Sequence, residues 1–172
     1  MSMKAILETP RLIFRAFTLD DVDAMYQLMT VPDVIRYVGN KPAQSKQDTL
    51  DYLNQHPLRD YQVYGYGRFA CVWKETGQVI GFSGIKYLEE ISETELGYRF
   101  LPEVWGKGLA TEAGSAVIEF AKSLGLTRLV AVIHPQNEGS IQVALRLGFV
   151  LEGTTELSLI EECDLLLFSR AI

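Results

Sequence analysis

Val104 to Ala113 reads VWGKGLATEA, two glycines set around a lysine and running straight into a helical pattern. Glycine costs backbone entropy, so Gly106 and Gly108 at a helix entrance indicate either a tight strand-to-helix turn or a partner that approaches the main chain more closely than a Cβ would allow. The helix itself is predicted over residues 109–124, with Gly125 as its C′ residue. A helix N-terminus offers unpaired amides and the positive end of the macrodipole, so a phosphate placed there gains hydrogen bonds and charge stabilisation together. Lys107 would add a charge, and Thr111 a hydroxyl in the first turn. Two better-known phosphate loops do not fit. The nucleotide P-loop needs G-x-x-x-x-G-K-[ST], but Lys107 precedes Gly108 and no earlier glycine stands at the required distance. The dinucleotide pattern G-x-G-x-x-G lacks its third glycine, and a β-meander rather than a parallel βαβ start precedes the loop.

That meander is three β-rich runs, residues 67–74, 78–88 and 93–101, the first two joined by the turn Glu75-Thr76-Gly77. Further upstream, residues 11–17 alternate as a strand, and Thr18 caps a helix carrying Val22, Met25, Tyr26 and Met29 that stops near Val31-Pro32. A second helix is predicted over residues 46–55, capped by Ser45 and followed by Pro57. Downstream of the opening stretch, RLVAVI (128–133) is a continuous apolar run, as expected of a buried strand lying parallel to a neighbour. A helix over 138–147 ending at Gly148 and two strands, 149–157 and 163–169, close the chain. The pattern predicts one domain over 1–172 in the α/β (mixed α+β) class, with one central mixed sheet of about seven strands flanked by about four helices.

Composition excludes several functions. Of 172 residues, 48% are hydrophobic and 22% charged, which is globular. The formal net charge of −6, with sixteen scattered Lys and Arg, argues against a nucleic-acid surface. The N-terminal MSMKAILETP has no apolar leader core and no run approaches a membrane span, so the chain is read as cytoplasmic with no membrane partner. Cys71 and Cys163 each lie in an apolar run and are expected to be reduced and buried, with no disulfide framework and no zinc or other metal site.

Three stretches, ETPRLIFRAFTLDD, ELGYRFLPEVWGKGLATEA and HPQNEGSIQVALRLGFVLEG, resemble the GNAT superfamily of acyl-CoA-dependent N-acetyltransferases, in its RimJ/RimL-like branch, and together span nearly the whole chain. The family signature [RQ]-x-x-G-x-[GA] falls on Trp105 to Ala110, with Trp105 where Arg or Gln usually stands. The resemblance implies acetyl-CoA as cosubstrate. Main-chain amides of Gly106, Lys107, Gly108, Leu109, Ala110 and Thr111 would hold its pyrophosphate, and the backbone of Tyr98, Arg99 and Phe100 would pair with the pantetheine arm as an added strand. It further implies a GNAT fold whose sheet splays between that strand and 128–133, with the thioester entering the gap. Asn137 matches an asparagine that bonds the coenzyme; on local grounds alone it reads as a helix N-cap.

Acetyl transfer to an amine needs a neutral nitrogen, donors for the oxyanion and a proton for the departing thiolate. A covalent route through Cys71 or Cys163 with His56 or His134 lacks a G-x-S-x-G elbow or a recognisable cysteine-protease context. Both histidines precede prolines and are expected in loops. By the resemblance, the family's tyrosine acid position is Ala144, while the RimL-like serine is Ser140, which would donate to the sulfur or relay a proton from water. The local alternative for Ser140 is an ordinary first-turn polar residue. Glu95 is the implied base, directly or through water, since the other family base position holds Val132; a solvated strand carboxylate is its alternative. Glu112 is read as structural, complementing the helix dipole. The chain is therefore expected to move acetyl to a primary amine (a protein N-terminal α-amine, a polyamine or another small amine) by direct attack in a ternary complex, as monomer or homodimer. A non-catalytic acyl-CoA-binding module of the same fold is the competing class. Asp33, Glu161 and Glu162 hint at a cationic acceptor.

Overall fold

The computed structural model describes residues 4–39 and 41–172, with Glu162 described in its backbone only. Two short antiparallel strands, β1 (Leu7–Glu8) and β2 (Leu12–Arg15), lead into α1 (Val22–Thr30). The turn before it is fixed by a capping box: Thr18 accepts from Asp20, and the Asp21 carboxylate accepts the Thr18 amide. Pro32 ends α1 and opens α2 (Pro32–Ile35), because proline is tolerated in a first turn where its missing amide would have been unpaired anyway.

The next helix departs from the sequence expectation. It does not stop before Pro57. α3 (Lys46–Leu53), capped by Ser45, continues through a π turn (Asn54–Leu58) that contains Pro57 and into α4 (Arg59–Tyr64), which ends on Gly65 in the left-handed region. A proline inside an α-helix removes one bond and clashes with the carbonyl four residues earlier, and the wider π turn accommodates both. His56 therefore lies in a helical turn, packed at a tilt of 40° against Tyr52 with ring centroids 4.5 Å apart, rather than in a loop.

β3 (Arg68–Trp73), β4 (Val79–Leu88) and β5 (Glu93–Phe100) form the expected meander, followed by α5 (Leu109–Ser123), β6 (Arg128–Ile133), α6 (Glu138–Arg146), β7 (Val150–Leu157) and β8 (Ile160–Ala171). Among the described residues, eight strands form one sheet in the order β1-β2-β3-β4-β5-β6-β8-β7, antiparallel except between β5 and β6. The additional strand over the sequence reading is the two-residue β1, too short to carry a period. The final strand begins three residues earlier than expected, where Leu157 and Ile160 pair across the last hairpin.

One face of the sheet packs Phe69, Ile85, Leu96 and Phe100 against Leu109, Val117 and Ile118 of α5; the other packs Ala70 and Phe82 under Met25, Leu28 and Leu53 of α1 and α3. With both faces covered, the first half of β4 is buried almost without interruption. Cys71 is buried as expected, but Cys163, near the last hairpin, is only half-buried. Among the described residues no helix is long and apolar enough to cross a membrane.

Candidate active site

The VWGKGLATEA loop adopts the backbone its glycines permit. Gly106 and Gly108 have φ of +74° and +77°, in the left-handed region that side-chain-bearing residues avoid. Trp105 anchors the loop by donating Nε1–H to the Phe100 carbonyl at 2.8 Å. Gly108 occupies the N-cap of α5 and has no side chain with which to cap it, so the first-turn amides of this fifteen-residue helix are left to a ligand or water. The loop is braced from far along the chain: Arg11 Nη1 donates to the Lys107 carbonyl at 2.8 Å, and Arg11 Nε and Thr9 Oγ1 both donate to Glu112. Burial works against the Glu112 charge, but these donors outweigh it and hold the carboxyl below the usual range.

The sheet splays where the parallel pair begins. β5 and β6 are in register at one pair only, Glu95 with Val130; β6 is bonded to β8 along its whole length, and the β6 side of Leu96 to Phe100 has no strand ladder. Alternation along β5 sends Glu95, Gly97 and Arg99 to the α1 face and Leu96, Tyr98 and Phe100 to the α5 face.

Glu95 is 8% exposed, which removes the solvated-carboxylate reading. Its Oε1 receives Arg68 Nη2 at 2.7 Å, and the backbone of Val132 on the neighbouring strand also favours its charged form. Burial pushes the carboxyl up, outweighing Arg68, so it protonates above the ordinary glutamate value. Arg68 reaches it along a row of cross-strand neighbours, Arg68, Gly84 and Gly97. A Cβ on Gly97 would stand 2.7 Å from Arg68 Nη2, so this glycine is the floor on which the guanidinium lies. Beside it, Lys86 pairs with buried Asp60 at 2.9 Å. A narrow cleft of about 10 Å³ lies here, lined by Phe17, Met25, Tyr52, His56, Arg68 and Phe82 among others. Burial, and then Lys86, push the His56 imidazole down to about 4, so it is neutral above that pH.

On the opposite face, Asn137 caps α6 by accepting the Ser140 amide at 3.3 Å, so its local role is present. Ser140 Oγ accepts a hydrogen bond from the Tyr98 hydroxyl at 3.1 Å, across the open part of the fork. Ala144, at the family's tyrosine position, is buried.

A family model described as "Acetyltransferase (GNAT) domain" matches residues 11–150. The chain belongs to the GNAT acetyltransferase family. This GNAT chain is 33% identical over 153 residues to the Uncharacterized N-acetyltransferase YoaA of Bacillus subtilis, covering 88% of this chain and 86% of that one. It is also 33% identical over 112 residues to the ribosomal-protein-serine acetyltransferase of Escherichia coli, covering 64% and 61%. Among solved structures, an acetyltransferase from Agrobacterium tumefaciens superposes with a TM-score of 0.82 at 30% identity, covering 99% of this chain and 95% of that one. The spermidine N-acetyltransferase of Vibrio cholerae in complex with CoA and spermine shares the fold, with a TM-score of 0.76 at 18% identity over 93% and 95% of the two chains.

The geometry brings Gly106, Lys107, Gly108, Leu109, Ala110 and Thr111 into one loop and first turn, and joins Tyr98 to Ser140 and Asn137. The Arg99 side chain is turned away from that group, its guanidinium 5.3 Å from the Phe82 ring on the other face. Asp33 is exposed and pairs with Arg36, Glu161 is exposed, and the Glu162 side chain lies outside the described residues. Sequence reading missed Arg68, Asp60, Lys86 and the Tyr98 hydroxyl. The available signal was the pair of glycines, Gly84 and Gly97, inside otherwise strong strands, which marks a close approach by another group.

Proposed function

We propose that this GNAT protein transfers acetyl from acetyl-CoA to a primary amine by direct attack in a ternary complex, with Glu95 as base and Ser140 as donor to the leaving sulfur. The observation that carries the reading is their placement. Glu95 sits at the last rung of the fork on one face of the sheet, while Ser140 and Tyr98 meet on the other. An amine entering from the cleft beside Arg68 would lose its proton to the carboxylate on its own side, and the sulfur would depart toward hydroxyl donors on the far side. The first-turn amides of Leu109, Ala110 and Thr111 fit a pyrophosphate, and the unladdered edge at Tyr98, Arg99 and Phe100 fits an extended amide-bearing arm. Acetyl-CoA, when bound, supplies the activated acetyl group.

Glu95 is suited to its part because burial raises its basicity, and Arg68 holds it in place. A hydroxyl at Ser140 stabilises a developing thiolate more than a thioester, which lowers the barrier without tightening substrate binding. The acceptor classes are a peptide N-terminus, a polyamine or another small amine, in keeping with the ribosomal-protein and spermidine enzymes this chain resembles. The test is to incubate the protein with acetyl-CoA and a panel of peptides, polyamines and amino acids, following free thiol and the mass of one added acetyl group. Thiol release that depends on one amine class, with that amine acetylated, supports the reading. Tight coenzyme binding without turnover on any amine would make the chain a binding module instead.

A further inference from the structure

The Tyr98–Ser140 contact joins two elements that the strand ladder leaves apart, β5 and the N-terminus of α6, at the open part of the fork. We propose that Tyr98 is a positioning residue for thiolate departure, holding the Ser140 hydroxyl so that its proton points into the gap between β5 and β6. The inference rests on the reading of Ser140 as sulfur donor.

A serine hydroxyl has one proton and can turn. At the first turn of a helix it has competing uses, in bonding a nearby carbonyl or water. A phenol is a better donor than an aliphatic hydroxyl. At 3.1 Å the favoured arrangement is Tyr98 O–H donating to Ser140 Oγ, which fills one lone pair of the serine and leaves its proton for a different acceptor. The Tyr98 ring is held in turn, packed 6.1 Å from Phe100 by centroid. Ser140 is placed from below through its own amide, which Asn137 receives. Both ends of the serine are thus restrained, and the one unrestrained group is its O–H. Burial pushes the Tyr98 phenol up, outweighing Ser140, so it keeps its proton at neutral pH and acts as a fixed donor. No proton leaves Tyr98 in this scheme; it sets direction.

Coenzyme A itself is the probe, since its thiol occupies the leaving-group position and needs no acceptor. The pH titration of the bound thiol is followed by ultraviolet thiolate absorbance, as a difference against the coenzyme-free protein. It is made for wild type, Tyr98→Phe, Ser140→Ala and the double variant, after calorimetry has shown coenzyme bound in each. Tyr98→Phe keeps the ring and its packing on Phe100, so its melting temperature is expected to stay within a few degrees of wild type, and thermal unfolding checks it. Expected is a fall in the thiol ionisation constant of about three- to tenfold on Tyr98→Phe, as for loss of one modest hydrogen bond. The double variant is expected to be no worse than Ser140→Ala alone, because Tyr98 acts only through the serine. A normal titration in Tyr98→Phe beside a shifted one in Ser140→Ala would overturn the positioning role and leave Ser140 standing. A Tyr98→Phe effect that persists in the Ser140→Ala background would overturn it as well. If neither variant shifts the thiol, the assignment of Ser140 falls and this proposal with it; if coenzyme A does not bind to the wild type, the loop assignment falls first.

Discussion

Glu112, in the first turn of α5, receives Arg11 twice: Nε at 2.9 Å and the main-chain amide at 3.1 Å. Two residues 101 positions apart are thereby made one structural unit, and the same guanidinium extends to the Lys107 carbonyl. The glycine-rich loop is fixed from outside itself, by the turn between β1 and β2. Glu112→Ala strips Thr9 and Arg11 of their acceptor. It is expected to cost on the order of 1–3 kcal/mol in thermal or urea unfolding, given three lost hydrogen bonds of which one partner is half exposed. Coenzyme A affinity should weaken in calorimetry, since Arg11 loses the contact that aims it at the loop.

Gly108→Val tests the loop directly. At φ +77° a β-branched residue is strained, so the variant is expected to lose roughly 1–2 kcal/mol of stability. It should lose coenzyme A affinity by at least about tenfold, because relief of that strain shifts the backbone that aims the first-turn amides, and the new side chain meets Arg11, 3.6 Å from Nη2, which braces the loop. Undiminished affinity in a titration calorimeter would remove the loop from the coenzyme site.

As the proposed base, Glu95 is expected to set a pH limb. Its carboxyl is raised above the ordinary value of 4.5, first by burial, and must be unprotonated to accept a proton from the amine. kcat/KM should therefore fall as pH drops through a midpoint above 4.5, and Glu95→Gln should remove that limb together with most of the rate. A pH–rate profile of both proteins decides it.

Gly97→Ala probes the same carboxylate without touching it. The added methyl would meet Arg68 Nη2 and displace the guanidinium from Glu95. With Arg68 gone, desolvation acts unopposed by that cation, so the acidic limb should move to still higher pH while coenzyme A affinity changes little.

His56 contributes to acid sensitivity. Its imidazole ionises at about 4 in the folded protein against 6.5 in a free chain. Between those values the unfolded chain binds a proton that the folded one refuses, so stability falls as pH drops through that window and the loss levels off below about 4. His56→Gln should flatten the decline of melting temperature between pH 6.5 and 4, measured by calorimetric scans beside the wild type.

Elements with a strong period or a strong stop were legible in the sequence: the meander, α5 with its glycine ends, and the parallel β6, whose apolar run reflects the burial of successive residues on both faces. The backbone of the Gly106–Gly108 loop was legible because only a few residue types can make it. The helix after Ser45 was not, because a proline reads as a stop and nothing in its neighbours announces a π turn that absorbs it. Glu95 could be chosen but not placed: whether a strand carboxylate is wet or dry depends on Arg68, twenty-seven residues away, and on the glycines that let it cross. Tyr98 was legible only as backbone, because its hydroxyl acquires a partner through the fold and not through spacing.

The outer margins of the sheet are blunt. β1 is two residues long, and β7 carries Glu152 and Glu156 along its exposed length. Those are the usual protections against pairing with a foreign chain. The fork at Glu95 and Val130 leaves a third margin, in the interior of the sheet, where β5 past the last rung pairs with no strand on its β6 side. Another protein's strand cannot reach it without passing α6 and β6, whereas a slim flexible molecule can. Under the proposed function, position alone would favour a ligand over an aggregating neighbour, because the edge is kept inside the sheet.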